Sequence, residues 1–157
     1  MHLHLIAVGR AKPGPLRDLY QLYSARLNNT AALGPLSLRE VEEKRALKGQ
    51  ERKGREAELL LGAVPEGARL IALDERGKEL DSPQLAGKLG EWRDDGIRDT
   101  AVVIGGADGL DARVRQRADL VLAMGRLTWP HMLVRAMLAE QLYRAATILA
   151  GHPYHRD

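Results

Sequence analysis

The sequence predicts an α/β domain with a largely parallel sheet and helices on both of its faces. Short apolar runs, typical of buried strands, alternate with longer segments in which apolar residues recur at three- and four-residue steps, as along one face of a helix. The chain has 157 residues, of which 45% are hydrophobic and none is cysteine. This length favours one domain over residues 1–157. The absence of cysteine fits a reducing compartment, and we expect a cytoplasmic protein.

The first half of the chain predicts three strands and two helices in alternation. The first run is short and apolar and ends at Gly9, which indicates a buried strand, and the third strand is expected to end at Asp74. The predicted elements are a strand from Leu3 to Val8, a helix from Leu16 to Leu27, a strand from Leu36 to Val41, a helix from Leu47 to Val64 and a strand from Leu70 to Leu73.

The second half continues the alternation. Ser82 and Pro83 predict a helix start, with the hydroxyl as N-cap and proline in the first helical position, and Gly96 ends that helix. A strand follows from Ala101 to Ile104, then a short helix from Leu110 to Ala118, a strand from Leu120 to Ala123 and a long helix from Pro130 to Gly151. Because parallel sheets bind ligands beyond the carboxyl ends of their strands, the loops after Leu73, Ile104 and Ala123 are the candidate site.

Two of these loops have unusual composition. Gly105 to Gly109 follows a strand and precedes a helix, but its spacing matches neither a dinucleotide-binding motif nor a P-loop. The segment from Met124 to His131 is predicted to be irregular until Thr128 caps the last helix, and its free backbone groups could read the edge of an adenine. His131 is interpreted first as a structural residue of the helix start.

The C-terminal residues concentrate chemically active side chains. His152, Tyr154, His155 and Arg156 provide two imidazoles, a phenol and a guanidinium within five positions. These groups transfer protons, stack on bases and pair with phosphates. The alternative is a frayed basic tail, since chain termini are poorly ordered by default.

Charge points weakly toward a nucleic-acid partner. The net charge is +3, and six basic residues fall between Lys44 and Arg55, although a solvated helix face is the favoured explanation of that run. No metal site is expected, because neither His2 with His4 nor His152 with His155 is accompanied by a completing carboxylate or cysteine. No membrane span is expected either, since no apolar stretch reaches about 18 residues.

Three stretches taken together resemble the RlmH family of ribosomal RNA methyltransferases, in the SPOUT superfamily. They are Ile104–Leu110, Leu127–Arg135, and Glu140–Arg144 with His152–Arg156. The resemblance implies a C-terminal trefoil knot, a homodimer and S-adenosylmethionine as cofactor. It also implies methylation of N3 of a pseudouridine in large-subunit (23S) ribosomal RNA on the assembled ribosome. By the same resemblance the cofactor pocket is lined by Leu73, Gly105, Met124, Gly125, Arg126, Leu127, Thr128 and Trp129.

The resemblance gives the C-terminal residues a catalytic role. His152 or His155 is the candidate general base, Tyr154 would stack on or hydrogen-bond the target base, and Arg156 would pair RNA phosphates, with Arg135 and Arg144 as outside candidates. The tail would be ordered by the pocket of its own or of the partner subunit. The sequence departs from the family pattern at Ala107-Asp108 in the glycine loop and at Gly125-Arg126 in the pocket loop, and neither departure is expected to abolish cofactor binding.

Other readings stay open at this point. A SPOUT enzyme that acts on tRNA is the nearest rival, although the chain carries no added RNA-binding domain. A non-catalytic ribosome-binding or assembly factor could use the same fold. A flavodoxin-like nucleotide-binding module is discouraged by the missing phosphate motif. The broad apolar face of the last helix is the expected contact between the two copies of a dimer.

Overall fold

The computed structural model describes residues 1–156, and they form the predicted three-layer α/β architecture. Five strands make one sheet in the order β2-β1-β4-β3-β5, and every neighbouring pair is parallel. The elements are β1 His2–Val8, α1 Pro15–Asn28, β2 Leu36–Val41, α2 Gly49–Ala63, β3 Arg69–Glu79, α3 Ser82–Asp94, β4 Asp99–Ile104, α4 Ala112–Arg117, β5 Leu120–Ala123 and α5 His131–Leu149.

The sheet separates two apolar cores. Successive side chains of a strand point to opposite faces, so Leu3 and Leu5 of β1 lie in one core while Ile6 and Val8 lie in the other. The first core is closed by α1, α3 and α5, and the second by α2 and α4. The fold class predicted from the sequence is therefore confirmed, including helices on both faces.

The strand β3 is longer than predicted. It continues past Asp74 to Glu79, and its pairing with β5 shifts register between Leu73 and Lys78. A Cβ atom on Gly77 would lie 2.7 Å from backbone atoms of Val121 and Leu122. The prediction that the strand ends at Asp74 is wrong, because backbone contact with β5 continues β3 through residues that have no strand-like apolar pattern.

Two predicted helix caps are also wrong. Asp81, not Ser82, caps α3: its carboxylate accepts from the backbone N–H of Gln84 at 2.7 Å, and the Gln84 side chain accepts from the N–H of Asp81 at 3.0 Å. The Ser82 hydroxyl instead donates to Gln141 Oε1 of α5 at 2.7 Å. At the start of α5, Pro130 occupies the N-cap position, and no side chain caps the helix. Thr128 lies two residues earlier and is exposed.

Much of the apolar face of α5 is buried inside the chain's own core. Leu138 and Leu142 are each 1% exposed, and they pack in the core that α1 and α3 also close. The dimer contact expected on α5 stays a prediction, as does the C-terminal trefoil knot. Over residues 1–156, no helix has the length and apolar character needed to cross a membrane.

Candidate functional site

A cavity of about 520 Å³ opens at the carboxyl ends of β3, β4 and β5. Its volume is within the ordinary range of small-molecule sites, roughly 300–1,000 Å³. The apolar part of its wall consists of Leu73, Ile104, Leu110, Leu122, Met124, Leu127, Trp129 and Val134. All three segments that the parallel-sheet rule selected from the sequence contribute to this wall, although the residues after Leu73 belong to the continued strand β3 and not to a loop.

The glycine loop after β4 is a tight turn in which Gly105 has no room for a side chain. A Cβ atom on Gly105 would lie 2.9 Å from the backbone of Gly109. Gly109 donates its N–H to the Gly106 carbonyl at 3.0 Å and has a φ of 80°, which glycine adopts without strain. The glycines therefore let the backbone fold on itself at the edge of the cavity.

Two residues one turn apart on α2 form hydrogen bonds with this glycine loop. Arg52 Nε donates to Asp108 Oδ2 at 2.6 Å. Glu56 is 6% exposed and accepts a hydrogen bond from the backbone N–H of Gly106. Both Glu56 carboxylate oxygens lie 3.0 Å from the point where a Gly106 Cβ would be, so a side chain there would displace the carboxylate.

The Glu56 carboxylate is an unusual group to bury. Its burial raises its pKa, an effect that Arg52 partly offsets, and Glu56 Oε2 has no hydrogen-bond partner within residues 1–156. Sequence reasoning missed this residue. The available signal was its position four residues before Leu60, on the buried stripe of α2, where a charged residue is rarely found without a purpose.

The loop after β5 closes the other side of the cavity. Trp129 Nε1 donates to the Met124 carbonyl at 3.0 Å, and Gly125 adopts a φ of 90°. Leu127 is 71% exposed at the rim, and Thr128 is also exposed. Irregular backbone rather than a helix or strand thus faces the cavity here, as the sequence predicted.

Seven of the eight residues predicted for the cofactor pocket line this cavity. They are Leu73, Gly105, Met124, Gly125, Leu127, Thr128 and Trp129. Arg126 is the exception: its side chain is 93% exposed, and its Nε lies 3.5 Å from Glu79 Oε1. The structure therefore directs this guanidinium away from the cavity.

Some of the charged groups at the cavity wall form ion pairs. Arg115 Nη1 lies 3.1 Å from Asp74 Oδ2 and donates to the Leu110 carbonyl at 2.7 Å. His131 also lines the cavity, and burial, assisted by the nearby Arg135, lowers its pKa. A neutral imidazole is therefore favoured at the first residue of α5.

Arg135, an outside candidate for phosphate binding, is buried in the structure. Its side chain is 3% exposed, its Nη1 donates to Glu40 at 2.7 Å, and its Nη2 donates to the carbonyls of Val8 and Gly9 at 2.8 Å. These bonds join α5 to the ends of β1 and β2. The geometry gives Arg135 an architectural role and leaves it no exposed surface for RNA.

The C-terminal tail lies against α5 and outside the cavity. The Tyr154 hydroxyl donates a hydrogen bond to Glu140 Oε1 at 2.9 Å. The Tyr154 ring packs edge-on against the Tyr143 ring, and the two ring centroids are 4.8 Å apart. Arg144 Nη1 lies 3.2 Å from His155 Nδ1, and Arg144 also forms an ion pair with Glu140 at 2.6 Å. These contacts order the tail in a single chain.

The tail and the cavity of one chain are well separated. Glu140, which binds Tyr154, is six residues along α5 from Val134, the nearest residue of that helix in the cavity wall, or about 9 Å of helix axis. None of His152, Tyr154, His155 and Arg156 lines the cavity. The sequence-predicted catalytic residues are therefore brought together with each other but not with the sequence-predicted pocket.

The tail side chains have defined hydrogen-bonding states. The Tyr154 backbone N–H donates to His152 Nδ1 at 3.2 Å, and the Arg144 guanidinium, which is only a donor, faces His155 Nδ1. Burial and the hydrogen bond to Glu140 raise the pKa of the Tyr154 phenol well above its ordinary value. Tyr154 therefore stays a neutral hydrogen-bond donor at physiological pH. In the described part of the chain no group of three or more histidine or carboxylate side chains is placed to hold a metal ion.

The chain has close relatives of the same length. A family model described as "Predicted SPOUT methyltransferase" matches residues 1–155. The chain belongs to the SPOUT methyltransferase family. Proteins named "Ribosomal RNA large subunit methyltransferase H" are 61% identical to it in Rhodospirillum centenum and 57% identical in Paramagnetospirillum magneticum, over 99% of both chains in each case.

Solved structures share the SPOUT fold with much lower sequence identity. A probable methylase family protein from Haemophilus influenzae matches with a TM-score of 0.51 and 11% identity, over 99% of this chain and 70% of that one. TrmJ from Z. mobilis matches with a TM-score of 0.50 and 15% identity, over 98% and 72%. These likenesses concern the fold alone. SPOUT methyltransferases use S-adenosylmethionine as methyl donor.

Proposed function

We propose that this SPOUT methyltransferase transfers a methyl group from S-adenosylmethionine to N3 of a pseudouridine in large-subunit ribosomal RNA, on the assembled ribosome in the cytoplasm. The observation that carries the proposal is the cavity at the carboxyl ends of β3, β4 and β5, which is lined by seven of the eight residues that the family resemblance marks. The full-length match to large-subunit ribosomal RNA methyltransferases supports the choice of RNA.

The cavity suits S-adenosylmethionine in size and chemistry. An adenine ring requires flat apolar walls and backbone groups at its edge, and the wall combines leucine, isoleucine and methionine side chains with two irregular loops. The absence of a phosphate-binding motif agrees with a cofactor that has no phosphate. When bound, this cofactor supplies a methyl group on a cationic sulfonium centre.

Methyl transfer requires the chain to align the target nitrogen with the methyl carbon. Orientation of two reactants can contribute about 7–11 kcal/mol to the reduction of a barrier. The imide nitrogen must also lose its proton before or during attack, and a histidine base typically contributes about two to four powers of ten in rate. His152 and His155 are the candidates for that base. Tyr154, whose hydroxyl donates to Glu140 in the single chain, would stack on or hydrogen-bond the target base.

We propose further that the pocket and the tail of one active site come from different chains of a homodimer. This proposal rests on the separation of about 9 Å of helix axis between the tail anchor Glu140 and Val134, the nearest cavity-lining residue of α5, and on the absence of every tail residue from the cavity wall. The α1 surface supports it, because Leu16, Leu19 and Leu22 are 38–46% exposed at three-residue spacing. Apolar side chains in such a row favour contact with a second copy.

The experiment that tests the function is methyl incorporation into three substrates. Ribosomes, large subunits and naked ribosomal RNA, all from cells that lack this gene, are incubated with the protein and labelled S-adenosylmethionine, and the product is mapped by mass spectrometry. We expect one labelled large-subunit pseudouridine, with assembled ribosomes as the best substrate. Cofactor binding without label on any of the three substrates would favour the rival SPOUT activity on tRNA, and absence of cofactor binding would favour a non-catalytic ribosome-binding factor.

A further inference from the structure

The basic residues between positions 44 and 55 fall into two structural sets. The three arginines all bind carboxylates: Arg45 lies 2.9 Å from Glu43, Arg52 lies 2.6 Å from Asp108, and Arg55 contacts both Glu43 and Glu58. Glu43 is almost fully buried by these contacts, with a side chain 7% exposed, and its hydrogen bonds to Arg45 hold its pKa at about 2. The arginines therefore fix the shape of this segment.

The three lysines of the same segment are different. Lys44 and Lys48 are exposed, and Lys53 is half-buried. None of the three forms an ion pair with a carboxylate of residues 1–156, whereas Lys88 on α3 does. Lys53 forms no ion pair with Asp108, but it is close enough to help lower the pKa of the Asp108 carboxyl. Three cationic ammonium groups are thus available on a segment whose arginines are committed.

The position of the lysines relates them to the cavity. Lys44 and Lys48 lie on the connection from Val41 at the end of β2 to Gly49 at the start of α2, so they lie on the carboxyl-terminal side of the sheet, as the cavity does. Lys53 is itself part of the cavity wall. A polyanion whose base enters the cavity would have its backbone beside these lysines.

We propose that Lys44, Lys48 and Lys53 form a phosphate-binding track that holds the RNA backbone next to the cavity. The proposal rests on the proposed RNA methyltransferase function and adds the surface on which that RNA lies. Lysine ammonium groups bind phosphates as point charges without reading base sequence, so the track would position the substrate rather than select it. Glu51, on the first turn of α2, is the exposed carboxylate that interrupts the run.

The test compares two pairs of substitutions that remove the same charge. Lys44→Gln with Lys48→Gln removes two exposed cations of the track. Lys88→Gln with Arg98→Gln removes two cations elsewhere on the surface, a half-buried lysine on α3 and an exposed arginine just before β4. Methylation of ribosomes from cells that lack this gene is measured at salt concentrations from about 50 to about 300 mM. Dissociation constants for S-adenosylmethionine are measured alongside.

If the track binds RNA, only the Lys44/Lys48 variant of these two pairs should lose affinity for ribosomes. We expect its KM for ribosomes to rise roughly three- to tenfold, and its slope of log(kcat/KM) against log[salt] to become shallower by about 1.5–2. Its kcat and cofactor affinity should match the wild type, and the control pair should match it in all four quantities. Lys53→Gln alone should also raise KM for ribosomes.

Two results would overturn the track. One is an unchanged KM and salt slope in the Lys44/Lys48 variant, and the other is an equal change in the control pair, which would mean that net charge alone is responsible. Failure of the proposed function is a separate outcome, because it would be seen as absence of methyl transfer by the wild-type protein. Binding of an acidic protein in place of RNA would leave the salt slope on naked ribosomal RNA unchanged by the substitutions and would also contradict the track.

Discussion

Glu56 shows most clearly how one side chain supports the site without touching the cavity. It is buried under the glycine loop, accepts from Gly106, and lies one turn from Arg52, which fixes the other end of that loop. The Oε2 atom of Glu56 has no hydrogen-bond partner within residues 1–156, and the pKa of its carboxyl group is raised. Burial of this carboxylate is unfavourable. It is explained if the active site requires the shape that Glu56 gives to the glycine loop.

The raised pKa of Glu56 gives a prediction about stability and pH. A carboxyl whose folded pKa exceeds its ordinary value of 4.5 contributes stability that is complete below pH 4.5 and is lost as the pH rises through the folded pKa. Glu56→Gln removes this dependence. We therefore expect the free energy of unfolding of the variant, relative to wild type, to increase from pH 4 to pH 8.

Denaturant unfolding at several pH values checks this expectation for Glu56. Glu58→Gln is the matched control, because Glu58 lies on the same helix but is exposed and pairs with Arg55. A pH dependence identical in wild type and the Glu56 variant would contradict the buried-carboxylate account.

The tail histidines give a second prediction at the residue scale. His152→Ala and His155→Ala are each expected to leave the dissociation constant for S-adenosylmethionine nearly unchanged, because neither residue lines the cavity. The variant that lacks the base should lose about two to four powers of ten in kcat. Single-turnover methylation and calorimetric cofactor titration separate the two effects. Equal losses in turnover and affinity would make the histidine a pocket residue instead.

Among the secondary structure elements, the paired strands β3 and β5 depend on one glycine. A Cβ on Gly77 would meet the backbone of Val121 and Leu122 at 2.7 Å, and backbone atoms cannot move aside as a flexible side chain does. Gly77→Ala is therefore expected to destabilise the fold by about 1–3 kcal/mol. In the control Gly87→Ala, on an exposed face of α3 with nothing within 4 Å, alanine should stabilise by about 0.5–1 kcal/mol. Thermal unfolding of both variants measures the difference, and equal shifts would contradict the close approach.

The C-terminal tail is the element on which transfer depends most. Deletion of residues 152–157 removes the Tyr154–Glu140 hydrogen bond and the His152 backbone bond to Thr147, but no residue of the cavity wall. We expect the shortened chain to fold, to bind S-adenosylmethionine with near wild-type affinity and to lose methylation. Circular dichroism, cofactor titration and methyl incorporation test the three parts, and full turnover by the shortened chain would contradict the role of the tail.

The sequence predicted the elements better than it predicted their ends. Apolar periodicity is a property of neighbouring residues, so all ten elements and the two-sided sheet followed from it. The extension of β3, the Asp81 cap and the burial of Arg135 depend on contacts with residues far along the chain, which no local pattern contains. For the same reason Leu73, Gly105 and the loop after β5 could be assigned to one cavity through the parallel-sheet rule and the family resemblance, whereas Glu56 could not.

At the scale of the whole molecule, the account requires two chains. The cavity belongs to the carboxyl edge of the sheet, the tail is anchored on α5 away from it, and α1 exposes a row of leucines. We predict that the protein is a dimer of its 17.3 kDa chain in solution. Leu19→Glu with Leu22→Glu should produce monomers that bind S-adenosylmethionine but transfer no methyl group, as measured by light scattering and methyl incorporation. A fully active monomer would contradict the requirement.

The most direct measurement uses dimers that combine two inactive chains. One chain lacks residues 152–157 and keeps its pocket, and the other keeps its tail and carries Thr128→Arg, which places a cationic side chain in the cavity wall against the sulfonium of the cofactor. Each variant alone should be inactive. With different affinity tags, the mixed dimers can be purified and assayed for methyl transfer to ribosomes.

If the tail of one chain completes the pocket of the other, each mixed dimer contains one intact site, and we predict about half of the wild-type turnover per dimer. If pocket and tail act within the same chain, no mixed dimer has an intact site. Stable mixed dimers without activity would therefore contradict the shared active site.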